Sequence, residues 1–356
     1  MESESGLPWN AHTPMPQALT AGILAAIFRQ AYGASSILRH VRAIPGGTVN
    51  DVLMLDVAGA PPAILRLAPS EATAAAGPSW LTSFGLRREQ AVISRLPHIA
   101  DLLPPTIHVD FSRSLIDRDW VIQDLVRGRP WSDLAGDLSQ HDQTHLWRQT
   151  GVLTRSIHGV HGDVFGGAGK TDDIGRASRH ETGIQRSRWS EILRADAEGL
   201  AGDACRFDLQ SEAFDQLLAA IATHADILDR IETPALIHSD LGPRHIFVEP
   251  DGNRGYRICG LIDLEFGRFA DPLSESLIVN MALDPPDPSF QAAFWQGYGP
   301  LSIPAPPPPG NDVRALIYEG IALGWFITDL ARLGRHKEIP TFVADLNGRL
   351  DRLLAY

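Results

Sequence analysis

The residues of this chain that could do chemistry fall in two short stretches, Leu236-Ile-His-Ser-Asp-Leu-Gly-Pro-Arg-His-Ile-Phe-Val248 and Leu261-Ile-Asp-Leu-Glu-Phe-Gly267. The first sets His238 and Asp240 two apart at a turn, then His245 five residues after Asp240, then an apolar strand. The second ends an apolar run, 257–262, on Asp263, with Gly267 four residues on. Phosphoryl transfer needs such a set: one carboxylate steers the acceptor hydroxyl, and another holds the divalent cation on the phosphates.

Asp240 is the candidate general base or hydroxyl-orienting group. Asp263 is the candidate Mg²⁺ ligand, because Mg²⁺ prefers hard oxygen and a charge ending an apolar strand must be paired or bind metal. Glu265 is a candidate second metal or substrate carboxylate. His238 belongs to the catalytic turn, where a brace that hydrogen-bonds the loop is favoured over direct proton transfer. His245 is a candidate metal ligand; imidazole suits softer metals than Mg²⁺, so Mn²⁺ stands beside it.

Upstream, Pro45-Gly-Gly-Thr-Val-Asn50 joins two strand-like runs. Glycines let a backbone approach phosphates, so Gly46, Gly47, Thr48 and Asn50 form a candidate phosphate loop, although a hairpin turn explains the pattern equally well. Arg66 ends the next strand. Its planar fork suits both phosphate and a carboxylate partner, and Glu89 is that partner.

Elements must position these groups. Apolar residues at helical spacing predict helices over 16–32, 86–97, 140–158, 186–200, 209–231, 286–297, 311–334 and 339–355. Strand patterns cover 38–44, 51–57, 63–67, 106–109 and 120–125. The expectation is an α+β fold: an N-terminal unit, 1–126, with a five-stranded sheet and one inserted helix, and a mainly helical unit, 127–356. Residues 1–14 read as loose, 166–185 as an exposed loop, and 304–309 as a stiff Pro-rich connector.

The bulk numbers exclude several classes. In 356 residues, 44% are hydrophobic and 21% charged, the composition of an ordinary globular protein. A net charge of −12 argues against nucleic-acid binding and is compatible with a cationic substrate. Two cysteines, Cys205 and Cys259, make no disulfide framework and point to the cytoplasm. No apolar run approaches the ~18 residues of a membrane span, and the start lacks a signal-peptide pattern. A monomer or weak dimer is expected.

The motifs resemble those of the aminoglycoside phosphotransferase and choline kinase group. The segment 238–247 is similar to that family's His-Gly-Asp-Leu-His-Pro-Gly-Asn-Ile-Leu. Gly260-Leu-Ile-Asp-Leu-Glu265, with Gly267 and Ala270-Asp-Pro272, is similar to its Gly-Val-Ile-Asp-Trp-Glu and Gly-Asp-Pro. The resemblance implies a bilobal protein-kinase-like fold, with ATP or GTP between the lobes beside Gln123, Asp124 and Val126. Helices of the larger lobe would select the acceptor. Departures are His245 for Asn, as macrolide phosphotransferases tend to carry, Arg66 for Lys, Ser239 for Gly and Gly242 for His. The leading reading is an O-phosphotransferase acting on a macrolide or aminoglycoside-like antibiotic. The alternatives are a metabolite kinase of the choline or homoserine type and a non-catalytic nucleotide-binding regulator. Asp240 and Asp263 argue against the last, which has no chemical need for them.

Overall fold

The computed structural model describes residues 19–44, 47–168, 184–209, 212–252, 255–283, 286–299 and 313–355. Residues 1–14, Pro45, Gly46, most of the 166–185 segment and the 304–309 connector lie outside the described residues.

The N-terminal unit starts with α1 (Ala21–Tyr32), capped by Thr20, whose hydroxyl accepts from the Ile23 amide at 3.2 Å. Its Leu24, Ile27 and Phe28, at helical spacing, bury against one face of an antiparallel sheet. The strands are β1 (Leu38–Ala43), β2 (Asp51–Val57), β3 (Ala63–Leu67), β4 (Thr106–Asp110) and β5 (Trp120–Asp124), in the order β1-β2-β3-β5-β4. Alternation decides which side chains meet α1: Leu53, Leu55, Leu65 and Leu67 do, so Arg66 on β3 points to the opposite face. That face looks toward the helical region.

Two helices follow β3. The short α2 (Glu71–Ala76) was not expected, because its run of alanines shows no apolar periodicity. The second, α3 (Gly85–Ile93), links the two units. Leu86 packs on Ala68 and Val121 of the sheet side, while Val92 joins the C-terminal core.

The C-terminal unit carries α4 (Trp131–Leu134), α5 (Gln140–His158), α6 (Trp189–Arg206), α7 (Glu212–Thr223), α8 (Ala225–Leu228), α9 (Ser276–Leu283), α10 (Pro288–Tyr298), α11 (Val313–Arg332) and α12 (Ile339–Leu353). The helix expected over 209–231 is broken at His224, which leaves helical geometry between α7 and α8. Helix α9 was missed, since Ser-Leu-Ile-Val-Asn-Met-Ala-Leu reads as a buried run of either kind. The short strands are β6 (Arg129–Pro130), β7 (Phe165–Gly167), β8 (Gln185–Arg186), β9 (Ala235–Ile237), β10 (Ile246–Pro250), β11 (Tyr256–Leu261) and β12 (Arg268–Ala270). They form two small sheets, β11-β10-β6 and β8-β7-β12-β9. Strands β7 and β8 thus occupy both ends of the segment expected to be only loop. No described helix is long and apolar enough to cross a membrane.

Helices α5 and α10 cross through glycines. A Cβ on Gly297 would overlap the Arg148 carbonyl oxygen, and one on Gly151 would overlap that of Phe294. Backbone atoms cannot rotate away as a side chain can. Gly297→Ala is therefore expected to destabilise the fold by about 1–3 kcal/mol, the usual cost of overpacking. Chemical denaturation with an unchanged slope and a lower midpoint is the expected reading; an unchanged midpoint would refute the close crossing.

Candidate active site

Two loops make the site, and one strand register brings them together. The first loop follows β9 and ends at His245; the second follows β11. Ile246 of β10 pairs with Leu261 of β11, so the residues just outside that pair, His245 and Ile262, are neighbours. The Ile262 amide donates to the His245 carbonyl at 3.1 Å, and Asp263 comes next. The outcome is that Asp240, His245 and Asp263 offer ligand atoms all within 4.8 Å of one another.

His238 is fully buried, and its ring serves the main chain. Its Nε2 lies 2.9 Å from the Ile262 carbonyl, which can only accept, so Nε2 carries the proton. Its Nδ1 then accepts from the Asp240 amide at 3.3 Å. Neither nitrogen is left for substrate. These are the bonds of the brace expected from the sequence: His238 ties the first loop to the second.

His245 is also fixed by the main chain. Its Nδ1 is 2.7 Å from the Asp240 carbonyl and must donate to it. Nε2 is then turned to Asp263 Oδ2 at 3.4 Å, where it pairs with the carboxylate when protonated and offers its lone pair to a cation between them when not. This is how a backbone carbonyl commonly orients a metal-binding imidazole. Two carboxylates and one imidazole suit a divalent cation, so the donor set fits Mg²⁺ or Mn²⁺.

Arg66 reaches across from β3. Its Nη1 is 2.5 Å from Glu89 of α3, and its Nη2 is 3.4 Å from Asp263 and 3.9 Å from Glu265. Burial works against its charge, but Glu89, Glu265 and Asp263 outweigh that and hold its pKa above the ordinary value. Glu89 also accepts from the Leu264 amide at 3.3 Å. The Arg66–Glu89 pair thus rests directly on the second loop.

Glu265, the candidate second metal or substrate carboxylate, is 4% exposed and accepts from Asn50 Nδ2 at 2.7 Å, so it joins the two units; the three candidate ligands that gather beside it are Asp240, His245 and Asp263. Burial and the neighbouring Asp263 raise its pKa to about 8 against the pull of Arg66. Asn50 is turned to Glu265, and the Thr48 carbonyl accepts from Arg332 Nη2 of α11 at 2.8 Å. Gly47 lies against the Asn50 carbonyl. Gln123 is buried with its amide nitrogen unpartnered, and the Asp124 amide donates to Pro105 at 2.9 Å. Val126 covers Gly260 of β11 so closely that no Cβ fits there.

Sequence reasoning passed over Glu275, which is fully buried and accepts from the His238, Leu241 and Ser276 amides at 2.7, 3.4 and 3.1 Å. Burial would raise its pKa, but His158 and His238 override this and keep it below the ordinary value. Asp271, quoted only as part of a motif, is buried and accepts from Tyr318 Oη at 2.7 Å and Arg314 at 3.2 Å. No local signal marks Glu275, whose partners in the first loop lie 34 and 37 residues away; Asp271 also caps the turn at Pro272 by accepting from the Leu273 amide at 3.0 Å, but its bond to Tyr318 spans 47 residues.

A sheet-rich N-terminal unit over a helical one, with a carboxylate loop at their junction, defines a kinase-like protein. Residues 40–310 match the model of the phosphotransferase enzyme family, and the chain belongs to that family. It is a small-molecule kinase that moves phosphate to a hydroxyl group. Solved structures with similar folds include the aminoglycoside phosphotransferase APH(4)-Ia in a thermostable mutant form, with 16% identity, 93% of this chain and 98% of that one covered, and a TM-score of 0.62. A complex of APH(2")-IIa with streptomycin and ATP shares 14% identity over 94% and 98% of the chains at a TM-score of 0.60. A complex of APH(2")-IIia with GDP and kanamycin shares 13% over 92% and 97% at 0.60. A search of curated protein sequences finds no match.

Two predictions follow from the loop geometry. Ser239 has φ of 72°, left-handed, and its hydroxyl is buried without a partner. Ser239→Gly should stabilise by about 1 kcal/mol, because the αL cost of about 1–2 kcal/mol exceeds the lost chain stiffness. Thermal melting checks it, and no rise would show that the turn is unstrained. For the metal cluster, Asp263→Ala should abolish the dependence of nucleotide affinity on Mg²⁺ in calorimetric titration. His245→Asn should bind Mg²⁺–nucleotide at least as well as wild type, whereas His245→Ala should not, and only wild type should favour Mn²⁺. Identical metal preference in all three proteins would make His245 a packing residue.

Proposed function

We propose that this enzyme transfers the γ-phosphoryl group of ATP or GTP to a hydroxyl of an antibiotic, of macrolide or aminoglycoside-like chemistry. The observation that carries this reading is the gathering of Asp240, His245 and Asp263 at one point, with Arg66 set over it by Glu89. Asp240 orients the acceptor hydroxyl and takes its proton as the new P–O bond forms. His245 and Asp263, with Asp240 at the edge of the cluster, would hold Mg²⁺ or Mn²⁺, which neutralises charge on the β- and γ-phosphates. Arg66 contributes the fixed positive charge nearest Asp263. The nucleotide lies between the N-terminal unit, 1–126, and the C-terminal unit, 127–356, beside Gln123, Asp124 and Val126. Gly47 and Thr48 belong to the loop read as closest to its phosphates.

Nucleotide use is supported by the ATP and GDP held by similar structures. The macrolide arm is supported by His245 and by an aromatic group just past Asp263. Phe266 lies 6.1 Å from Trp80 and 5.9 Å from Trp325, ring centre to ring centre, and all three are half-buried. Such a surface suits an acceptor with an apolar face. A cytoplasmic monomer or weak dimer completes the reading.

Nucleotide turnover against a panel of hydroxyl-bearing antibiotics and metabolites is the direct test. With the acceptor in hand, Asp240→Asn should keep nucleotide affinity and lower kcat by on the order of 10²–10⁴. Wild-type turnover in that variant would reduce Asp240 to a turn residue, and selective turnover of a small metabolite would replace the antibiotic reading.

A further inference from the structure

Arg244 stands where the motif that this loop resembles has glycine. Its Nη2 donates to both Asp240 oxygens, at 2.7 and 3.0 Å. Among the described residues these are its only hydrogen bonds, so Nε and Nη1 remain free to donate. The side chain is 58% exposed and that of Asp240 is 33% exposed. An ion pair so exposed is held weakly and exchanges readily.

The surrounding charges give this cation a task. Arg66 is already engaged with Glu89, Asp263 and Glu265. Asp240 and Asp263 add two carboxylates where, on the reading above, a nucleoside triphosphate would bring its γ-phosphoryl group. In the transition state of transfer the charge of that group spreads over its three non-bridging oxygens. A guanidinium already seated on the base, with two donor edges open, lies at the acceptor end of the reacting line.

We propose that Arg244 is a catalytic residue that contacts the transferring phosphoryl group, a role that rests on the phosphotransferase reading above. The acceptor hydroxyl takes an Asp240 oxygen from Arg244, and the guanidinium turns its free edges to the phosphoryl oxygens. The acceptor oxygen forms its bond to the γ-phosphorus, and the bond from that phosphorus to the β–γ bridging oxygen breaks. The bridging oxygen leaves with the electron pair on the nucleoside diphosphate, and the hydroxyl proton passes to Asp240. Arg244 gives up no proton; it stabilises charge only.

The test compares a transition-state mimic with a ground-state one; in the mimic the water on aluminium opposite ADP takes the acceptor oxygen's place against Asp240, so no identified acceptor is needed. Wild type, Arg244→Ala and Arg244→Lys are titrated calorimetrically with Mg²⁺–AMP-PNP, and with Mg²⁺–ADP plus aluminium fluoride. AMP-PNP affinity should stay within about threefold in all three, which also shows that the variants fold. Affinity for the aluminium fluoride complex should fall on the order of 10² in Arg244→Ala and recover in part in Arg244→Lys, whose point charge lacks the fork. Equal losses for both ligands, or none for either, would overturn the role while leaving the phosphotransferase reading intact. So would a wild type that gains nothing from aluminium fluoride over ADP alone. A wild type that binds neither ligand would overturn both.

Discussion

Four carboxylates, Asp240, Asp263, Glu265 and Glu89, converge on a junction where the buried guanidinium of Arg66 touches three of them. Like charges this close repel strongly in a poorly hydrated interior, and an unpaired buried charge costs several kcal/mol. Much of the surrounding structure answers that constraint. Glu89 takes the tightest contact with Arg66 and a main-chain amide as well. Burial and Asp263 raise the pKa of Glu265 to about 8, and Glu265 is bonded to Asn50. Asp240 is paired with Arg244 at the surface, and Asp263 faces both Arg66 and His245. The four carboxylates still outnumber the two guanidiniums that meet them, Arg66 and Arg244, the electrostatic preparation a divalent cation and a phosphoryl group require.

The same junction holds the two units together. Asn50 to Glu265, Arg332 to the Thr48 carbonyl, Trp80 to Thr328 at 3.0 Å and the Ser79 amide to Asp203 at 2.7 Å all cross between them. The first two pin the loop expected to lie on the phosphates. Loop position and site electrostatics are therefore linked through Glu265, which lies two residues from the candidate metal ligand Asp263. Rigidity comes from below. Glu275 gathers two amides of the first loop, and His238 stitches that loop to the other, so that Ser239 and Asp263 are held at φ of 72° and 71°. Strain of this kind persists only where surrounding bonds over-determine the backbone.

The chain by itself determined the order of strands and helices, because burial on one face imprints a period of two or 3.6 on the residues. Strands Asp51–Val57 and Ala63–Leu67 and helix Gln140–His158 were legible to the residue for that reason. It also determined the chemistry on offer: two aspartates ending apolar runs, a histidine five residues after the first, and an arginine with a glutamate 23 residues beyond it. Spacing alone was enough there, since each pair is local or sits on adjacent elements. Where apolar periodicity was weak, as in Glu71–Ala76 and Ser276–Leu283, even the element was lost.

Only the tertiary structure decided what each polar group faces. A hydrogen bond is set by a partner's position in space, and Asn50 meets Glu265 across 215 residues, Arg66 meets Asp263 across 197 and Tyr318 meets Asp271 across 47. The β10–β11 register chose His245 as the neighbour of Asp263, and a single carbonyl chose which imidazole nitrogen points at it. The sequence could name Glu265 as a carboxylate near Asp263; it could not show that Glu265 is buried and bonded to Asn50 of the other unit. Sequence lists the charges, but desolvation and distance, which exist only in the folded chain, decide which of them stay charged and which of them meet.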